Sequence, residues 1–414
     1  MQRISLVLPL ALLAGLTCTP GVARADPPPD ALLDAVFPVL RGKKPAPPLL
    51  QSIFRPAAPT SPACGLARID LEQTKGDQKR VFHLLADPAV GPDNQPRTML
   101  IRLNTIGVDT DGSKRAYHPD DPFGNRCKGP TDDPAAQVCA LNDLGNAGIR
   151  LYEHSRRIPQ YASGPNPAFA KAWTSLWSAI AARKDHWVDL KAYFGENAPK
   201  ETRLYYARDL DRAVTFNTEI IPFKDGFPCQ HGDKPNAYFI AATTRRGTPM
   251  AASANEGCRT AEHLDAMTVP FVVLPPAFSA IDIGDIAIGM ASIGGVERLA
   301  FGVYGDQGPP RQIGEASVAF VQALRSTTGA IKNNREAVAL QLETGQGARR
   351  ATMLGILVLG GTASMLGSDY SAGNIERVAR EVFGRWSANR PGRLQACMSA
   401  APSNPLKGSP APAN

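Results

Sequence analysis

Two carboxylates stand nine positions apart in Tyr304–Ser317, YGDQGPPRQIGEAS: Asp306 in a Gly/Pro-rich stretch and Glu315 just ahead of an apolar run. A pair of carboxyls is enough for one kind of hydrolysis, in which one donates a proton to a leaving oxygen while the other activates water. The same residues also fit plain structural roles, Asp in a GDQG turn and Glu at the positive end of a helix. Other chemistries have less to work with. No GxSxG segment occurs, and His83, His118, His154, His186, His231 and His263 form neither HExxH nor HxH. No metal or other cofactor is expected.

Such a pair needs a scaffold, and composition bounds it. A 414-residue chain with 43% hydrophobic residues can bury a large core, while 37 Gly and 37 Pro favour short strands and turns over long helices. Short runs bounded by Gly, Pro, Asn or Asp predict strands at Thr98–Leu103, Tyr238–Thr243, Val269–Leu274, Ala287–Ile293, Arg298–Tyr304, Ala337–Leu342 and Gly355–Leu359. Asn166-Pro167 opens a helix whose Phe169, Trp173, Leu176 and Ile180 share one face. Trp173 and Trp177 fit either a core or a ligand stack. A second helix is expected after Glu315 and a third from about Ile375 to Trp386, and 152–222 reads as a largely helical insertion. The expected class is β-rich, α+β overall. Residues 26–60 are Pro-rich, 61–400 form the main domain, and 401–414 read as a flexible tail.

The N-terminus reads as an export signal, 1–25. Arg3 is followed by an apolar run from Ile4 to Leu16 and then Ala23-Arg24-Ala25, a small-x-small cleavage site. The run is short of the roughly 20 residues that span a bilayer, so no membrane partner is expected. Export to an oxidising compartment, secreted or periplasmic, would pair the six remaining cysteines. Local loop closure favours 127–139 and 229–258, which leaves 64–397 to join the ends. Removing Arg3 and Arg24 lowers the formal charge from +7 to 7 − 2 = +5, with basic residues scattered rather than clustered. That pattern argues against a nucleic-acid partner. A monomer is expected.

Several blocks in order resemble the chitosanases of glycoside hydrolase family 75: GVDTDGSKRAYHP (107–119), ALNDLGNAG (140–148), AYFIAATT (237–244), MTVPFVVLPP (267–276), IGDIAIG (283–289) and FGVYGDQGPPRQIGEAS (301–317). The last is the most specific, because it carries both carboxylates at the family's spacing. The resemblance implies a six-stranded double-psi barrel and inverting endo-hydrolysis of a β-1,4-linked glucosamine polymer, with Asp306 and Glu315 as the catalytic pair. Burial beside an apolar helix would favour Glu315 as the acid, and the helix dipole would oppose it.

A substrate bearing ammonium groups needs carboxylates, and the resemblance points to Asp109 and Asp111 in VDTDGS; Asp-Gly is equally a common turn pair. Tyr117 and Tyr304 offer sugar-stacking faces or core packing. Asp143 and Asn146 are weaker candidates, and Asp285 reads as a turn residue. Two features depart from the family, the insertion at 152–222 and the positive charge, which does not help capture a polycation. The rival readings are a hydrolase of another amino-sugar polymer such as peptidoglycan, and a non-catalytic carbohydrate-binding protein.

Overall fold

The computed structural model describes the chain from residue 54 to residue 410, except 60–62, 76–77, 88–96, 126–138, 154–155, 183–186, 189–201, 208–211, 233–236, 245–257, 277, 279–280, 310–311, 346–349, 389–391 and 406–408. The expected signal peptide and Cys127 lie outside the described residues.

Among the described residues, thirteen strands join one mixed sheet: β1 (Phe54–Pro59), β2 (Ala67–Lys75), β3 (Gln78–Ala86), β4 (Thr98–Leu103), β5 (Thr105–Asp109), β6 (Phe271–Leu274), β7 (Ile286–Ile293), β8 (Val296–Gln307), β9 (Glu315–Ser317), β10 (Leu342–Glu343), β11 (Ala351–Leu359), β12 (Ser403–Asn404) and β13 (Ser409–Pro410). The path runs β1-β2-β3-β4-β11-β7-β8-β6-β9-β5-β10, with β12 beside β4 and β13 beside β3. Most pairs are antiparallel; β6 with β8, β9 with β5 and β12 with β4 are parallel. Thr344, just past β10, makes a single parallel bridge to Ala351 at the start of β11.

Side-chain alternation sorts this sheet into two cores. On β4, Met99, Ile101 and Leu103 enter one buried cluster and Leu100 the other; on β11, Leu354, Ile356 and Val358 separate from Leu357 and Leu359 in the same way. A strand buried on both faces reads as a continuous apolar run, and Gly355–Leu359 shows that pattern. Helix α2 (Val318–Arg325) turns Val318, Phe320, Val321 and Leu324 into the first core. Helix α4 (Ala372–Ser387) covers the second with Ile375, Val378, Ala379 and Val382. Between them, α3 (Asn334–Ala339) corrects the strand expected at Ala337–Leu342. Asn333 caps the Glu336 amide at 3.0 Å while Glu336 reaches back to the Lys332 amide at 2.7 Å. This reciprocal cap outweighs the strand propensity of a short apolar run.

Among its described residues the insertion is less helical than expected. Helix α1 (Pro167–Ala181) forms where Asn166 and Pro167 predict it, with the Asn166 side chain accepting from Ala168. It packs on a five-stranded antiparallel sheet: Arg156–Ile158, Arg150–Glu153, Arg212–Asn217, Thr202–Ala207 and Trp187–Val188. Trp173 is buried in this third core and stacks on Trp177 at 5.6 Å. Within the tail, β12 and β13 pair with β4 and β3. Asn404 is buried and donates to the carbonyls of His83 and Arg102 while accepting from the His83 amide, so β12 is held by a side chain as well as by its backbone.

Cys64–Cys397 and Cys229–Cys258 are disulfides, spanning 333 and 29 residues, and Cys139 is disulfide-bonded as well. Such bonds persist in oxidising compartments. Among the described residues no helix is long and apolar enough to cross a membrane. The Cys64–Cys397 bond ties the start of β2 to helix α5 (Arg393–Ala400). A Cys64→Ser/Cys397→Ser variant is expected to lose about 2–4 kcal/mol in urea unfolding. Thiol labelling of the native parent is expected to leave Cys64, Cys139, Cys229, Cys258 and Cys397 unmodified; labelling of any of them without denaturant contradicts the cross-links.

Candidate active site

Strand β6 positions the two carboxylates. Val273 pairs with Asp306 on one side and with Glu315 on the other, so all three occupy one row and one face of the sheet. With strands about 4.8 Å apart, the two acidic residues have Cα atoms on the order of 9–10 Å apart. Asp306 reaches this row through a bulge: Val272 pairs with Tyr304, and the next pair is Val273 with Asp306, which leaves Gly305 as the extra residue. A Cβ on Gly305 would sit 2.6 Å from Phe271 Cβ, so only glycine fits there. Ahead of Glu315, Gly314 adopts φ 89°, and a Cβ would lie 2.5 Å from the Thr105 carbonyl.

Glu315 therefore lies in a strand rather than at a helix cap. Ser317 caps α2, accepting from Phe320 at 3.2 Å, which removes the expected opposition of the helix dipole. Burial raises the Glu315 pKa, and the charge on Asp306 adds to this, against a hydrogen bond donated by the Gln312 amide. Asp306 is 8% exposed, and its Oδ1 accepts from Thr244 N at 2.8 Å, Thr244 Oγ1 at 2.7 Å and Gln307 N at 2.9 Å. Three donors on one oxygen favour the ionised form.

Asp109 and Asp111 lie beside Asp306 rather than strung along a groove. Asp109 ends β5, two residues beyond the Gly107 that pairs with Glu315. Oxygens of Asp109, Asp111 and Asp306 all lie within 4.8 Å of one another. The Asp111 amide donates to Asp109 Oδ1 at 2.8 Å and the Tyr117 hydroxyl to Asp111 Oδ1 at 2.6 Å, so the DTDG stretch is an Asx turn and part of the cluster at once. Burial pushes Asp111 up to about 8, with Asp306 adding to the shift, and pushes Asp109 well above the carboxylate range, with Asp111 and Asp306 adding. Two full charges at 4.8 Å would repel by about 3.5 kcal/mol at an effective dielectric of about 20. Three hard oxygen donors at this spacing would also admit a divalent cation, though acidic clusters are common without one.

No family model and no curated protein matches this chain.

Tyr304 is 2% exposed within the first core, so it presents no open ring face to a sugar. Tyr117 is 1% exposed; its ring packs in the third core and only its hydroxyl serves the cluster. Asp143 and Asn146 form a turn of their own, Asn146 N to Asp143 Oδ1 at 3.1 Å. Asp285 is fully buried and receives the amides of Asp282, Thr362 and Ala363, which pins the turn ahead of β7. Sequence reasoning missed Thr244 and Gln312. Thr244 stands in the AYFIAATT block, but a threonine ending a strand-like run carries no mark of the carboxylate it will meet 62 residues later.

Asp109 is half-buried, and an acid with a raised pKa binds more protons folded than unfolded above about pH 4, so it lowers stability as pH rises through that range. Asp109→Asn removes this penalty and keeps the acceptor for the Asp111 amide. The Tm of the variant relative to the parent is therefore expected to climb as pH rises from about 4. A difference that stays flat from pH 4 to 9 in thermal melts would show Asp109 to be ionised throughout.

Proposed function

We propose that the chain is a secreted glycoside hydrolase that cleaves a β-1,4-linked glucosamine polymer of the chitosan type. The observation that carries this reading is the shared row across Val273, with Asp306 and Glu315 on one face. In the proposed step Glu315 protonates the glycosidic oxygen as its bond to the anomeric carbon breaks. Asp306 takes a proton from the water whose oxygen attacks the opposite face of that carbon. Inversion needs roughly 6.5–9.5 Å between the two carboxyl groups to admit this water, and two strand spacings, about 9–10 Å between Cα atoms, separate their backbones. The acid is Glu315 because burial favours its neutral form, and the base is Asp306 because three donors favour its charge.

A glucosamine polymer is the substrate proposed for this site: Asp109, Asp111, Asp306 and Glu315 converge in a chain whose net charge is +7, and a substrate ammonium group beside them would favour the ionised forms that burial and mutual repulsion disfavour. The core is read as a six-stranded double-psi barrel of β5, β6, β7, β8, β9 and β11. The parallel pairs β6/β8 and β9/β5 and the Thr344–Ala351 bridge support this. Secretion rests on the signal-like N-terminus and the disulfides.

Release of reducing ends from chitosan, chitin and peptidoglycan in parallel tests the substrate class, with chitosan expected to be cut fastest. Glu315→Gln and Asp306→Asn are each expected to lower kcat by about 10²–10⁴-fold while the protein stays folded and still binds the polymer. Near-parental turnover in either variant removes that residue from the pair.

A further inference from the structure

Asp306 is gripped from a stretch of chain that packs in a different core. Thr244 ends the AYFIAATT stretch and stands 62 residues ahead of Asp306. Phe239 and Ala241 of that stretch are buried in the third core beside helix α1. The Phe239 amide donates to the Tyr117 carbonyl at 3.0 Å and the Ala242 amide to the Ile220 carbonyl at 2.8 Å. Thr243, 2% exposed, is clamped from elsewhere: its amide donates to His263 Nδ1 at 3.1 Å, and its Oγ1 accepts from the Leu264 amide at 3.0 Å. Leu264 also abuts the bulge, since a Cβ on Gly305 would lie 2.9 Å from its Cδ1. With Phe239, Ala242 and Thr243 tied in this way, the backbone carries Thr244 to a fixed place.

At that place two donors of one residue meet one carboxylate oxygen. Thr244 N lies 2.8 Å and Thr244 Oγ1 2.7 Å from Asp306 Oδ1. The same hydroxyl accepts from the Gln307 amide at 3.1 Å, which occupies a lone pair and turns its proton towards Oδ1. A paired N–H and O–H from a single residue sets the direction of a carboxylate as well as its distance, and hydrogen bonds to an ionised acceptor are among the stronger ones. The Thr244 side chain is itself exposed, so no core depends on it.

We propose that Thr244 is a positioning residue for the hydrolytic step, its hydroxyl holding the Asp306 carboxylate in the direction from which it takes the proton of the attacking water. This role rests on the reading of Asp306 as the base. The bulge at Gly305 sets which face of the sheet Asp306 occupies, and Thr244 sets where its two-torsion side chain points. In the step the water O–H bond breaks and its proton passes to Asp306 while its oxygen bonds to the anomeric carbon. The electron pair of the broken glycosidic bond leaves on the oxygen that Glu315 protonates. Thr244 exchanges no proton. Its contribution is the alignment of base and water, for which a displacement of about 1 Å can cost about 10²-fold in rate. The core built on α1 thereby acts on the reaction through its hold on the 237–244 stretch.

Thr244→Val keeps the shape of the side chain and removes the hydroxyl, whereas Thr244→Ser keeps the hydroxyl. On soluble glucosamine oligomers, Thr244→Val is expected to lower kcat by about 10–100-fold with KM within about two-fold of the parent, and Thr244→Ser to stay within about three-fold in both. Residues that act as a unit are not additive, so Thr244→Val in an Asp306→Ala background is expected to cost no further kcat. The same cycle read by thermal melts needs no turnover: the Tm loss caused by Thr244→Val is expected to vanish once Asp306 is Ala. Parental kcat in Thr244→Val overturns the proposal. So does a Thr244→Ser variant as slow as Thr244→Val, or a Tm loss equal in the two backgrounds. If the parent turns over no polymer while the Tm coupling is present, the hydrolase reading falls and the hold of Thr244 on the carboxylate stands.

Discussion

Val273 sits between two strands that run in opposite senses, and its pairing on both sides decides where the two carboxylates stand. The parallel partner β8 delivers Asp306 and the antiparallel partner β9 delivers Glu315 to the same row. That outcome depends on one extra residue. Without the bulge at Gly305, strand alternation would bring Gly305 into the row and turn Asp306 to the other face of the sheet. The close approach of the Phe271 side chain is what restricts that position to glycine.

The second constraint is electrostatic. A chain with a formal charge of +7 brings Asp109, Asp111 and Asp306 together, and burial and mutual repulsion raise the pKa of Asp109 and Asp111. Hydrogen-bond donors decide where the charge rests. Thr244 and the backbone of Gln307 converge on Asp306, whereas Glu315 meets burial and a single side-chain amide. Burial raises the pKa of Glu315, and the proposed division into acid and base follows from this difference in surroundings.

Elements far from the cleft hold this arrangement rigid. Helices α2 and α4 cover opposite faces of the sheet that carries the row. The chain's end returns as β12 and β13, anchored by the buried Asn404, and the Cys64–Cys397 disulfide joins segments 333 residues apart. The helix and five-stranded sheet of the insertion enclose the ring of Tyr117, whose hydroxyl then reaches Asp111. Packing in one core thus orients a polar group in the site.

The sequence alone determined what local pattern determines. Short runs bounded by turn residues marked β4, β7 and β11, Asn166-Pro167 marked the start of α1, and loop closure marked Cys229–Cys258 and left Cys64 for Cys397. The spacing of Asp306 and Glu315 marked the acidic pair as a candidate. It misread Ala337–Leu342, where a reciprocal cap beats apolar alternation, and took a two-layer insertion as helical because its short strands carry weak local signals. Only the tertiary structure decided that Asp109 and Asp111 crowd Asp306, that Tyr304 is core, that Thr244 serves a carboxylate, and that Glu315 belongs to a strand. Each of these depends on strand order and on a one-residue register shift. A residue's type and its neighbours in sequence carry no record of which strand will lie beside it.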